Sequence, residues 1–440
     1  MDLFENKENH RERVLVVGVD VGIRKSDIDI ESSMKELEEL AEAAGAEVIG
    51  SVVQKRERID AVFYVGKGKA EEIRNAAEEL DVDTVIFNNE LSGAQIRNLE
   101  KAMDRKILDR TSLILDIFAN RAASREGKLQ VELAQLKYRL PRLVGFSNHL
   151  SRLGGGIGTR GPGEQKLEID RRHILGRIHD IEKQIRELEK VRSMKRKQRI
   201  ESNTPIVAIV GYTNAGKSTL LNSLIKSDED YGPEKDVFVK DMLFATLETS
   251  LRKGTLPGGR EFILTDTVGF VSKLPTKLVE AFKGTLEEVK YADVLLHVLD
   301  ITNEDLELQM KTTMDILRDL DCLDKPIITV LNKCDKNEGY ELMYSIDDPK
   351  IMISAKTGYN LDKLLEMIEE HIPEKYHRIK FLLPYDESGL MSIIFGDKGV
   401  ESIEYKQEGI EILASVSEKT KSKYRKYVIE GMEEEVEEEF

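Results

Sequence analysis

Apolar positions recur along the chain in alternating short runs and spaced faces. The stretch 14–20 (VLVVGVD) is continuous enough for a buried strand. Leu37, Leu40, Ala41 and Ala44 then line one face of a helix over 34–44. Strand-like runs follow at 47–53, 61–65 and 84–87, with helical patterns at 69–80 and 92–103. Strands alternating with helices predict an α/β domain with a largely parallel sheet, ending near residue 118.

The pattern then changes. Leu129, Leu133, Leu136 and Leu140 are spaced 4, 3, 4, and Leu167, Ile174, Ile178, Ile181, Ile185 and Leu188 continue mostly at 3 and 4. Both runs have charged flanks, which makes each an a/d seam. Two such helices joined by a connector most simply form an antiparallel hairpin. From 205 the alternation returns, with short apolar strands at 206–210, 262–265, 294–299, 327–331 and 351–353, and Pro373 ends this block. Beyond it the expected elements are a strand at 379–383, a helix-like stretch, strands at 400–405 and 410–416, and a final helix. The expected fold class is α/β multidomain, in four parts. They are an N-terminal α/β domain (1–118), a helical hairpin with a glycine-rich loop (119–200), a Ras-like P-loop domain (201–373) and a small α+β domain with an acidic tail (374–440). No solenoid-length repeat is present.

Composition narrows the class. No apolar run approaches the roughly 20 residues that span a bilayer, and the charged start MDLFENKENHRER lacks the apolar core of a signal peptide. Two cysteines, Cys322 and Cys334, and histidines without ligand spacing suggest neither a disulfide framework nor a zinc site. A cytoplasmic, reducing location is the default expectation. Net charge is −16, yet residues 121–200 hold 20 Lys and Arg against 9 Asp and Glu, a local +11 that leaves −27 elsewhere. A basic segment in an acidic chain fits a localised polyanion contact, and equally fits long helices with solvated lysines and arginines. The run from Glu430 to Phe440 reads as a solvated acidic tail.

Candidate chemistry lies in the third block. Gly211, Tyr212, Thr213, Asn214, Ala215, Gly216, Lys217 and Ser218 match G-x-x-x-x-G-K-[ST], after a strand and before a helix that starts through Thr219. In that setting backbone N–H groups wrap phosphates, Lys217 reaches the terminal ones and the Ser218 hydroxyl ligates Mg²⁺. Asp266, Thr267, Val268 and Gly269 follow a second strand, so that Asp266 can hold the Mg²⁺ shell and the Gly269 N–H can meet a γ-phosphate. Asn332, Lys333, Cys334 and Asp335 follow a third, where a carboxylate accepts two hydrogen bonds from guanine that adenine cannot supply. Ser354, Ala355 and Lys356 follow a fourth and are placed to touch the base from its other side. Four such loops in order, each after a strand, point to GTP. A threonine reporting on γ-phosphate and Mg²⁺ is expected between the first two. Thr246, within Phe244, Ala245, Thr246, Leu247 and Glu248, is the choice and Thr249 the rival. Lys217, Thr246 and Gly269 are the candidate catalytic residues, and Ser218 and Thr246 the candidate metal ligands. The position after Gly269, where many GTPases carry a water-orienting glutamine, is Phe270. Slow turnover by the isolated chain and stimulation by a partner follow.

Two further glycine motifs compete for a nucleotide. Residues 156–161 match G-x-G-x-x-G, but sit between two heptad-patterned helices instead of after a strand. The better reading is a conformable hairpin tip, with Arg152 and Arg160 available for phosphates. Gly66-Lys-Gly-Lys69 precedes a helix and is read as a turn with exposed lysines, with a second nucleotide site as the lesser alternative.

The chain resembles the HflX family of the Obg–HflX group of GTPases. The resemblance rests on GYTNAGKST, FATLE, DTVGF and NKCD. It rests also on Tyr64-Val-Gly-Lys-Gly-Lys69, Asp109-Arg-Thr-Ser-Leu-Ile-Leu-Asp-Ile-Phe-Ala119, Gln130-Val-Glu-Leu-Ala-Gln-Leu136, Pro141-Arg-Leu143 and the loop 154–164. Where family members often read GPGETQLE, this chain reads Gly161-Pro-Gly-Glu-Gln-Lys-Leu-Glu168. The resemblance implies GTP-dependent binding to the large ribosomal subunit, a role in splitting or rescuing stalled ribosomes, and entry of the N-terminal region near the peptidyl-transferase centre. Basic side chains of 121–200 would then meet rRNA phosphates. A monomer is expected. The competing reading is a GTP-gated interaction protein whose basic hairpin binds another RNA or a protein, with hydrolysis as a timer.

Overall fold

In this computed structural model residues 11–22, 29–144, 162–201, 204–226, 243–244, 250–273, 288–336, 349–373, 376–391, 394 and 399–436 are described. Two compact units divide the chain, Met1–Glu370 and His371–Phe440. Among the described residues no helix is long and apolar enough to cross a membrane.

The first unit begins with a parallel sheet in the order β2-β1-β3-β4, formed by β1 (Arg13–Asp20), β2 (Glu47–Lys55), β3 (Thr84–Phe87) and β4 (Lys106–Asp109). Helices α1 (Ile30–Ala43), α2 (Lys67–Glu79), α3 (Gly93–Met103) and α4 (Arg110–Arg121) connect or follow the strands. Each start has a local cause. Asp29 accepts from Glu31 N at 3.0 Å, Ser92 and Gln95 form a capping box, and Asp109 accepts from Ser112 N at 2.9 Å. Two expectations fail here. The strand expected at 61–65 is a turn, because the Asp60 carboxylate accepts from Val62 N and Phe63 N (2.8 and 2.9 Å) and Tyr64 takes φ 68°. Strand β4 went unanticipated. It is only four residues long and leads straight into α4.

Helices α5 (Arg125–Val144) and α6 (Pro162–Glu201) run antiparallel. Their register follows from ion pairs joining Glu132 to Arg177 at 2.7 Å, Lys137 to Glu182 at 2.8 Å, and Glu126 to Arg192. The seam is apolar. Leu129, Leu133, Ile178, Ile181 and Ile185 are buried together, with Leu136, Leu140, Ile174 and Leu188 packed on them. At 1.5–3 kcal/mol per buried aliphatic side chain, roughly, the seam and not helix propensity holds the pair. The connector, with Arg152, Arg160 and the G-x-G-x-x-G stretch, lies outside the described residues.

A second sheet follows in the order β10-β9-β8-β5-β7-β6. Its strands are β5 (Ile206–Gly211), β6 (Ser250–Thr255), β7 (Glu261–Asp266), β8 (Val294–Asp300), β9 (Ile327–Asn332) and β10 (Lys350–Met352). All neighbours are parallel except β6 and β7. Around it lie α7 (Lys217–Lys226), α8 (Leu306–Asp319) and α9 (Leu361–His371). The chain winds outward from β5 both ways, so the C-terminal end of β5 opens at the crevice where doubly wound sheets bind ligands. One apolar core runs from Val14, Leu37 and Phe118 through to Ile206, Phe244 and Phe270.

The second unit is an antiparallel sheet, β12-β13-β11-β14, from β11 (Tyr376–Leu383), β12 (Gly399–Lys406), β13 (Gly409–Ser417) and β14 (Val428–Val436), with the short α10 (Glu418–Lys423). The final helix expected here is present but short, and the solvated tail is corrected. The helix is six residues long, and much of the acidic run is the edge strand β14, pairing Val436 with Tyr376 and Glu433 with Ile379. An edge position tolerates charge that a central strand would not.

Candidate functional site

The loop after β5 turns because two glycines leave no room for a side chain. A Cβ on Gly216, whose φ is +94°, would stand 2.3 Å from Asn332 Nδ2, and one on Gly269 would stand 2.7 Å from Thr213 Cγ2. The loop, the end of β7 and the end of β9 are therefore pressed into one place. Asn332 clamps it, donating from Nδ2 to Ala215 O (2.9 Å) and accepting from Ala355 N (3.0 Å). Lys333 adds bonds to Asn214 O (2.9 Å) and the Asp300 carboxylate (2.7 Å).

Lys217 begins α7 and is buried, with Nζ donating to Tyr212 O at 2.6 Å. Burial lowers its pKa to about 8 against the opposing pull of Asp266, so at neutral pH it carries a charge poised for an anion. Ser218 Oγ donates to Asp266 Oδ2 at 2.7 Å. A hydroxyl and a carboxylate beside a phosphate loop are the hard oxygen donors that suit Mg²⁺, which completes its shell with water and phosphate.

At the far end of the groove Ser354 Oγ donates to Asp335 Oδ1 at 2.6 Å. That hydrogen bond, more than the nearby Lys356 and Lys336, holds the Asp335 carboxyl below its usual range. Asp335 is exposed and stays an anion able to accept from a base edge. Burial and then Asp335 push the Cys334 thiol up, which keeps it protonated.

Contacts thus join Asn214, Ala215 and Gly216 to Asn332 and Lys333, Ser218 to Asp266, Gly269 to Thr213 and Lys217, Asn332 to Ala355 and Asp335 to Ser354, while Gly211 and Thr219 flank the first of these loops and Lys356 follows the last. Others of the expected set face away. Thr267 is fully buried and donates from Oγ1 to Ile209 O at 2.7 Å, and Val268 is buried in the core. Cys334 N–H is engaged with Ile353 O at 3.2 Å. Phe244, at φ 56°, packs edge-on against Phe118 with centroids 4.6 Å apart. Tyr212 sends its hydroxyl to Glu36. Ala245, Thr246, Leu247, Glu248 and the rival Thr249 lie outside the described residues.

Sequence reasoning missed His297 and the partners of Tyr212. His297 sits on β8, 1% exposed, with Nε2 lacking a hydrogen-bond partner; burial, then Lys217, lowers its pKa to about 4. No motif marks it. Glu36 and Ser272 meet the Tyr212 hydroxyl and Arg110 binds both of them, from three separate segments, and only Arg110 lay in a family-like stretch of the sequence.

A six-stranded α/β sheet with a phosphate loop at its switch point and a guanine-type acceptor two strands away in the sheet defines a P-loop GTPase. Three family models match: "GTP-binding GTPase N-terminal" over residues 31–119, "GTP-binding GTPase Middle Region" over 121–199 and "50S ribosome-binding GTPase" over 206–333. The chain is 50% identical to the GTPase HflX of Caldanaerobacter subterraneus over 97% of its own length and 96% of the relative's. It is 39% identical to that of Escherichia coli over 87% and 89%. A GTP-binding protein from Sulfolobus solfataricus, solved with GDP, is similar at 26% identity and a TM-score of 0.43, over 82% of this chain and 98% of that one. The chain belongs to the HflX GTPase family.

Proposed function

We propose that this GTPase uses its nucleotide state to bind and release the large ribosomal subunit, and that the bound form splits or rescues stalled ribosomes. The observation that carries the nucleotide half is that three loops, those of Lys217, of Asp266 and Gly269, and of Asp335, are tied to one another at the end of β5. The ribosomal half is supported by the name of the family model over 206–333, by the family's resemblance and by the +11 charge of 121–200.

In this reading Lys217 and the Gly269 N–H hold the terminal phosphate and Thr246 is the threonine that reports on it. Ser218 and Thr246 ligate Mg²⁺, which screens phosphate charge when bound. Asp335 reads guanine. Contacts run through 211–219, 244–248, 266–269, 332–335 and 354–356. Phe270 is buried and carries no group able to orient water, so the isolated chain hydrolyses slowly. The parts act as a four-domain whole, 1–118, 119–200, 201–373 and 374–440, in a cytoplasmic monomer.

The test is the rate of GTP hydrolysis with and without large ribosomal subunits. A slow basal rate raised at least tenfold, by about 1.4 kcal/mol of barrier, is expected. Equal rates would remove the ribosomal half of the reading and leave the nucleotide half standing.

A further inference from the structure

Glu36, on α1, and Arg110, the first residue of α4, belong to the N-terminal sheet's helices, yet their side chains end in the GTPase site's foundations. Arg110 is 2% exposed and ion-paired with Glu36. Its Nη2 also donates to Ser272 O and Ser272 Oγ, each at 3.1 Å, and its Nη1 to Asn88 Oδ1 at 3.0 Å. Glu36 in turn accepts from Ser272 N (3.0 Å), from Ser272 Oγ and from the Tyr212 hydroxyl. Ser272 N also donates to Tyr212 Oη at 2.6 Å. Three buried side chains and the half-buried Glu36 thus tie α1 and α4 to the second residue of the phosphate loop and to the third residue beyond Gly269.

Between those two anchor points the segments are already zipped. Thr213 N donates to Phe270 O at 2.8 Å and Phe270 N to Gly211 O at 3.2 Å. Gly269 is consequently close to the loop: a Cβ there would stand 2.7 Å from Thr213 Cγ2 and 3.0 Å from Lys217 Nζ. A phosphate oxygen shared by the Lys217 ammonium and the Gly269 N–H needs about 2.8 Å to each. Because that side has no room even for a methyl carbon, a third phosphate entering between Gly269 and Thr213 needs Gly269 to withdraw. A diphosphate makes no such demand.

We propose that Glu36 and Arg110 are positioning residues for the nucleotide, which by holding Ser272 set how far Gly269 can withdraw and so set the discrimination between GTP and GDP. The inference rests on the assignment of 211–218 and 266–269 to the phosphates. Linkage makes it reciprocal. Triphosphate that pulls Ser272 loosens α1 and α4, and whatever engages α1 and α4 changes GTP affinity by the same factor. Phe118, eight residues along α4 from Arg110, packs edge-on against Phe244, a second contact between this helix and the GTPase block.

The experiment measures, on the full chain, the affinities for fluorescent GDP and for a fluorescent non-hydrolysable GTP analogue. Ser272→Ala removes one hydroxyl and leaves the buried charge pair, and Glu36→Gln weakens the whole knot. The expected result for Ser272→Ala is a shift of about fivefold in the affinity ratio toward the triphosphate, part of what the hydroxyl's bonds to Glu36 and Arg110 hold, with GDP affinity within twofold of the parent. Glu36→Gln should shift the ratio further, and the double variant should shift it no more than Glu36→Gln does, because both act through one knot. A ratio unchanged within twofold in folded Ser272→Ala overturns the proposal, as does an equal loss for both nucleotides, which marks a merely structural role. If Glu36→Gln melts below assay temperature, Ser272→Ala decides alone. Lys217→Ala is the separate control: if it binds both nucleotides like the parent, the phosphate assignment fails, whatever Ser272→Ala does.

Discussion

His297 shows how strongly position can override ordinary side-chain chemistry. Buried in β8, it is neutral in the folded protein down to about pH 4, whereas an unfolded chain takes up a proton near 6.5. The unfolded state therefore binds more protons between those values. The contribution to stability is full above pH 6.5 and is lost as pH falls through 6.5 toward 4, by up to roughly 3 kcal/mol. Denaturant midpoints at pH 7 and pH 5 should show this loss, and His297→Leu should flatten it. An identical slope in the variant would contradict the assignment. Lys217 and Asp335 were legible because their types and spacings are fixed by phosphate and guanine chemistry. His297 was not, because a buried histidine on an apolar strand has no motif. Lys217→Ala should weaken GTP by about 10- to 100-fold, the roughly 1.5–3 kcal/mol of a charged hydrogen bond, with the melting temperature kept. Asp335→Asn should lower preference for guanine over adenine in competition binding.

Elements reveal where periodic reading works. The α5–α6 seam was readable from 3- and 4-residue spacing because each helix buries one stripe against the other and nothing else competes for it. Ile181, at 0% exposure, is its centre. Ile181→Ala should cost about 2–5 kcal/mol of hairpin stability, seen as faster amide exchange in α5 and α6, while GTP affinity stays near the parent's. Failure to loosen the hairpin would mean that the seam is not what holds it. Short or charged elements escaped the same reading. At 61–65 the apolar run was real, but the Asp60 carboxylate captures two N–H groups and makes a turn. In β14, strand pairing overrides an acidic composition that sequence alone reads as solvated.

The whole molecule joins pieces that the sequence listed separately. Asp109 and Arg110 stood out only as family-like residues. In the fold Asp109 caps α4, accepts from Leu91 N at 2.9 Å and is met by Tyr138 and Arg142 of α5, while Arg110 reaches the GTPase site. One turn of chain thus links the hairpin, the N-terminal sheet and the nucleotide groove, and no local pattern could have shown it. The proposed role makes nucleotide state govern rRNA binding by the basic segment 121–200. Its most direct test is cosedimentation with large ribosomal subunits over a salt series, with a non-hydrolysable GTP analogue and with GDP. The expected result is binding favoured by the analogue, weakening steeply with salt as phosphate contacts require, and reduced by Arg160→Ala without loss of GTP affinity. Equal binding in both nucleotides, or none in either, would contradict the account.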